Sequence, residues 1–206
     1  MLHALVVWLA FLASVHLARL FLFPAFGLVG GMAIGFVAVY GGILWFLMVH
    51  VGGLSARDLG ITLRNWPTEV MLGVAGFFGI SVLLLGWGLV IDGADAMTDV
   101  LRRIADYTLA DRVKFLIIGL LAASCEDTLF RGYIQPALMA RLGALTGLLL
   151  TIALFAVHHF VDWPTVSRMG SLFITGLGFG VLRWQKRPVI ASYTAHTVLW
   201  LIWGDA

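Results

Sequence analysis

Mostly apolar stretches, about seven in all, follow one another along the chain, each near the length needed to cross a hydrocarbon core as a helix. The first runs from Leu2 to Ala18 and stops at Arg19. Phe21, Phe23, Pro24 and Phe26 then read as an aromatic interfacial turn. The second spans Leu28 to Val49, with Gly30, Gly31, Gly35, Gly41 and Gly42 offering close helix approach. After a polar loop with Arg57, Asp58, Arg64 and Pro67, the third runs from Val70 to Ile91. The fourth covers Phe115 to Ala140, where Pro136 predicts a kink or an end. Leu145 to Val161, Val166 to Leu182 and Val189 to Trp203 complete the set, with Asp162, Trp163 and Pro164 as the turn after the fifth.

One segment breaks the apolar pattern. Residues 92–112 carry Asp92, Asp95, Asp99, Arg102, Arg103, Asp106, Asp111 and Arg112. Val100, Leu101, Ile104 and Tyr107 recur at helical spacing, which predicts an amphipathic helix lying at the interface. The expected fold class is therefore an all-α integral membrane protein: a polytopic bundle of about seven transmembrane helices plus one interfacial helix. No polar linker divides residues 1–206, so a single membrane domain is expected.

Composition sharpens this picture. Hydrophobic residues make up 61% and charged residues 12%, about half the charge of an ordinary soluble domain. A mean hydropathy of +1.00 exceeds what a small soluble core can hide. The net charge of +2 is scattered, and nothing in it suggests nucleic acid. The apolar N-terminal run has no basic residues before it and no clean small-residue cleavage site after it, so it reads as a retained helix. Arg57, Arg64, Arg141, Arg183, Lys186 and Arg187 gather on one face, which the positive-inside rule makes cytoplasmic along with the N-terminus. The bilayer is the expected environment, and a compact protein of the bacterial cytoplasmic membrane is the expected setting. Oligomeric state is not legible.

Ionisable residues in mid-membrane cost on the order of 2.5–3.5 kcal/mol each by insertion scales. The fourth stretch holds three: Glu126, Asp127 and Arg131. Asp127 and Arg131 are four apart and share a face, which allows an ion pair. Glu126 points elsewhere, toward a bundle interior or cavity. His158 and His159 end the fifth stretch, and His196 sits within the seventh. A carboxylate and imidazoles converging in a wet membrane cavity can activate water for attack on a peptide carbonyl. The same donors could bind a divalent metal such as zinc. The expected cofactor set is nonetheless empty. Cys125 reads as a small packing residue, and His3, His16 and His50 as interfacial or hydrogen-bonded groups.

Three segments together resemble the CAAX-protease and bacteriocin-processing (Abi-type) family of glutamate-type intramembrane endopeptidases. Glu126-Asp127-Thr128-Leu129-Phe130-Arg131-Gly132 resembles its first motif, two acids with Arg four places after the second. Phe155-Ala156-Val157-His158-His159 resembles the second, Phe with His four places on, which selects His159. Ser192-Tyr193-Thr194-Ala195-His196 resembles the start of the third. The resemblance covers about residues 113–204. It implies that Glu126 activates water, that His159 and His196 assist, and that Arg131 orients the acidic pair. It also implies a membrane-associated peptide or protein substrate, processed at a CAAX-like C-terminus, a leader or a sorting tail.

Two positions depart from the pattern. Asp127 stands where the family has Glu. Trp200 stands where the family has an oxyanion-binding Asn. An indole N–H is a donor, so Trp200 could replace Asn. The plainer alternative is an interfacial or packing aromatic beside Trp203. Two other function classes stay open: a proton-coupled carrier, which needs a polar path across the bilayer, and a non-catalytic scaffold or immunity protein, for which Trp200 is the main support.

Overall fold

The computed structural model describes residues 2–160, 165–184 and 187–204, and every regular element among them is a helix. The expected turn at Asp162, Trp163 and Pro164, and Lys186 of the basic cluster, lie outside the described residues. The helices are α1 (Leu2–Leu17), α2 (Phe23–Ile34), α3 (Trp66–Ile91), α4 (Gly93–Ala105), α5 (Leu109–Ala122), α6 (Gln135–Leu142), α7 (Ala144–Phe160), α8 (Val166–Leu182) and α9 (Ile190–Trp203). π-Helical segments fill Ala18–Leu22, Gly35–Leu44, Phe46–Val51 and Ala123–Ile134.

Among the described residues, two stretches are long and apolar enough to cross a membrane, Leu2–Gly27 and Trp66–Ile91. Ala144–His159 and Val166–Leu182 are apolar but shorter. Large apolar side chains face outward, among them Phe78 at 62% and Val90 at 79% exposure on α3. A soluble surface does not present such a display. It is the expected surface of an integral membrane protein.

The structure moves three boundaries. The aromatic turn expected at Phe21–Phe26 is helical, because Pro24 sits in the first turn of α2, where its missing N–H costs nothing. The break comes instead at Gly27, whose φ of 70° is open to glycine. The polar segment 92–112 is not one helix. Thr108 caps α5 through a reciprocal capping box with Asp111, and this starts a new helix at Leu109. Arg112 then clamps α5 to α9 by donating to the Leu201 and Ile202 carbonyls at 2.9 and 2.8 Å. α4 alone is the amphipathic piece. Its Met97 packs where a side chain on Gly88 would stand.

Pro136 does not end its helix. α5, the π-helical segment and α6 run on without interruption from Leu109 to Leu142. A proline ring clashes with the preceding α-helical turn, and a wider π register ending at Ile134 relieves that clash. This run is the axis of the bundle. α1 packs on it through Phe11 and Phe130, whose rings meet edge to face 6.2 Å apart. α9 packs on it at Gly119, where a Cβ would stand 2.8 Å from the Trp200 Cβ. Leu129, Phe130, Ile134, Phe155 and Leu172 form the main core around it.

Candidate active site

The first acidic motif lies wholly within the π-helical segment Ala123–Ile134, and nearly every side chain there is buried. π-Bulges carry an energetic penalty and concentrate at functional sites. The segment presents its two adjacent acids to two different histidines.

Asp127 is fully buried, and Arg131 Nη1 lies 3.1 Å from its Oδ1. The pair sits at ion-pair distance without the alignment of a hydrogen bond, so the contact is mainly Coulombic. Arg131 is 1% exposed. Its guanidinium is boxed by the rings of Phe155, Phe179 and Phe130, at 4.3, 5.1 and 5.7 Å from their centroids. On its other side, Asp127 Oδ2 faces His196 Nδ1 at 3.4 Å. His196 stacks on Phe179 with centroids 4.7 Å apart. Neither atom makes a hydrogen bond at this distance, so this contact too is one of charge and proximity. His196 also lines a cavity.

Glu126 faces His159, with Oε2 3.8 Å from Nε2. His159 Nδ1 lies 3.0 Å from the Phe155 carbonyl and donates to it, which fixes the neutral ring as the Nδ1–H tautomer. Nε2 therefore turns a lone pair toward a carboxylate. Two acceptors at 3.8 Å need a donor or a cation between them. One water oxygen at about 2.8 Å from each satisfies both. His158, buried against Phe11 and Phe130, also approaches. One ligand atom each from Glu126, His158 and His159 lies within 4.8 Å of the others, an arrangement that suits a divalent metal such as zinc.

A cavity of about 270 Å³ opens beside the histidines. His159, His196 and Trp200 line it together, with Arg168, Thr175 and Met97. Glu126, 7% exposed, reaches this site through His159, which lines the cavity. Trp87 donates to the Ser167 carbonyl at 2.9 Å, and Ser167 Oγ donates to Asp92 at 2.6 Å. These bonds staple α3 to α8 at the mouth.

The six residues singled out in the sequence thus fall into two carboxylate–histidine pairs plus Arg131 and Trp200. His196 pairs with Asp127, so it does not meet Glu126 directly. The motif register favours His159, yet the structure brings His158 to the same carboxylate. Adjacent helix positions point in different directions, so the sequence allows at most one of the two histidines to face Glu126, and the approach of both corrects that expectation. Cys125 is buried, and His3 bonds Tyr133 across the α1 interface.

No curated protein and no solved structure matches the chain. A family model does match: residues 108–202, just under half of the chain, which hold all three motifs, both histidine pairs and the cavity-lining Trp200. This helical, membrane-type region is similar to the family of type II CAAX prenyl endopeptidases, Rce1-like.

Proposed function

We propose that this chain is a glutamate-type intramembrane endopeptidase whose working water is held between Glu126 and His159. The observation that supports it is the 3.8 Å facing of two acceptor atoms, Glu126 Oε2 and His159 Nε2. In this reading Glu126 takes a proton from the water as its oxygen attacks the scissile carbonyl. The C–O bond forms, and the carbonyl becomes an oxyanion. His196, which lies beside Asp127, stabilises that oxyanion by donating a ring N–H. Glu126 then returns its proton to the departing amine as the C–N bond breaks. Arg131 offsets the charge of Asp127, and Trp200 supplies a further N–H donor from the cavity wall.

The substrate in this reading is a membrane-associated peptide or protein, processed at a CAAX-like C-terminus or a sorting tail. The other apolar helical runs also cross the bilayer, giving about seven spans in one domain. α7 and α8, at 17 residues and so about 25 Å each, reach the lower limit for a span. The arginine-rich end faces the cytoplasm, and the setting is a bacterial inner membrane.

A second reading rests on the Glu126, His158 and His159 cluster. There these residues hold a divalent metal, which would polarise the attacking water. A chelator separates the two: activity unchanged after dialysis against it supports the metal-free reading, and loss restored by zinc supports the other.

The test compares peptide termini in membranes from cells carrying wild-type protein or Glu126→Gln, by terminus-selective mass spectrometry. New termini found only with wild type establish a peptidase and identify its substrate class. Identical profiles, with both proteins folded, overturn it in favour of a scaffold or carrier.

A further inference from the structure

A larger cavity, about 790 Å³, lies at the opposite end of the bundle. The loop before α3, the first turn of α3, Pro136, and the residues joining α8 to α9 form its walls. Arg57, Arg64 and Arg183 line it, together with Asp58 and Glu69.

Each acid is held through one carboxylate oxygen, and Glu69 Oε2 is buried without a hydrogen-bond partner. Asp58 accepts from the Ser55 amide and hydroxyl at 2.8 and 2.6 Å, which holds its carboxyl below the ordinary 3.8. Glu69 is buried and paired with Arg187 at 2.9 Å. Among the described residues no carboxylate lies at ion-pair distance from Arg57, Arg64 or Arg183. With Glu69 paired to Arg187, the single carboxylate of Asp58 faces three arginines, so the cavity keeps a net positive charge.

Arg183 is the built part. It is 5% exposed, its Nε donates to the Arg131 carbonyl at 3.1 Å, and Nη1 donates to the Arg187 carbonyl. Nη2 rests over Gly60, where a Cβ would come within 2.7 Å. The backbone there, at φ 77°, suits glycine and leaves room for the guanidinium.

We propose that this cleft binds the phosphate headgroup of an anionic phospholipid. Basic pockets between membrane helices suit such headgroups. A soluble anion would need only the arginines, but exposed apolar side chains flank this cleft along the chain. Leu63 and Trp66 are exposed and are chain neighbours of the lining residues Thr62, Arg64 and Asn65, and an indole such as Trp66 suits a membrane interface. These side chains offer contact for an acyl chain descending from the headgroup. Arg183 ties the occupied cleft to the motif helix through the Arg131 carbonyl. The proposal does not depend on peptidase activity, because its readout is binding.

Native mass spectrometry of the full-length protein in detergent tests it, titrating phosphatidylglycerol against phosphatidylcholine. Wild type is expected to prefer phosphatidylglycerol. Arg57→Gln/Arg64→Gln, two exposed loop positions, is expected to raise its apparent Kd about thirtyfold (about 2 kcal/mol) and leave phosphatidylcholine binding unchanged. Inorganic phosphate at the same concentration should not displace the lipid. The proposal is overturned if wild type has no preference between the lipids, or if the double variant binds as wild type does. Full displacement by inorganic phosphate also overturns it, since the cleft would then be a soluble-anion site.

Discussion

α3 and the helical run from Leu109 to Leu142 differ in what they bury and what they turn outward. α3 is apolar nearly throughout, and it turns Phe78, Val82 and Val90 outward. The longer run places Glu126, Asp127 and Arg131 in its buried middle and abandons α-helical geometry there. Each such buried charge costs several kcal/mol unless a partner offsets it. The contrast teaches that hydropathy locates the scaffold, while chemistry sits where hydropathy and regular helix both fail.

The largest expected effect would break that contrast at its chemical end. Glu126→Gln removes the proposed base while nearly preserving its shape, so kcat should fall about 10²–10⁴-fold with expression and melting unchanged. Arg131→Met leaves Asp127 as an uncompensated buried charge, which should destabilise the protein by about 3–5 kcal/mol. Thermal unfolding in detergent would read this out, and adding Asp127→Asn should restore part of the loss. Trp200→Phe keeps the packing against Gly119 but removes the indole N–H. A fall in kcat of about 10²-fold with little change in KM marks an oxyanion donor; an unchanged rate reduces Trp200 to a packing aromatic. The smallest effect compares the two helices directly. Gly132→Ala would bring a Cβ to 2.6 Å from the Leu59 carbonyl oxygen and should cost about 1–3 kcal/mol. Val82→Ala on the lipid face of α3 should change stability by less than about 0.5 kcal/mol.

Much of this was legible along the chain. The positions of α3, α7, α8 and α9 follow from apolar runs bounded by Pro67, the polar residues before Val166, and Pro188. The motif spacing marked Glu126, Asp127, Arg131, His159 and His196 as candidates before any geometry was known. Other features depend on contacts between distant residues, which local pattern does not encode. The π register around Glu126 is set by packing and by Pro136, not by helix propensity. The division into Glu126–His159 and Asp127–His196 depends on how α7 and α9 meet the central run. Arg183 counts in the sequence as one of the basic residues of the expected cytoplasmic face, yet it folds inward to the Arg131 carbonyl. The break at Gly27 went unseen because five other glycines nearby gave the same signal without a positive φ.

The most direct test of the central claim is a double-mutant cycle on peptide hydrolysis with Glu126→Gln, His159→Asn and the pair together. If both side chains hold one water, the losses are strongly non-additive, and the double variant is about as slow as Glu126→Gln alone. Losses that multiply would show that the two residues act independently and would contradict the shared-water site.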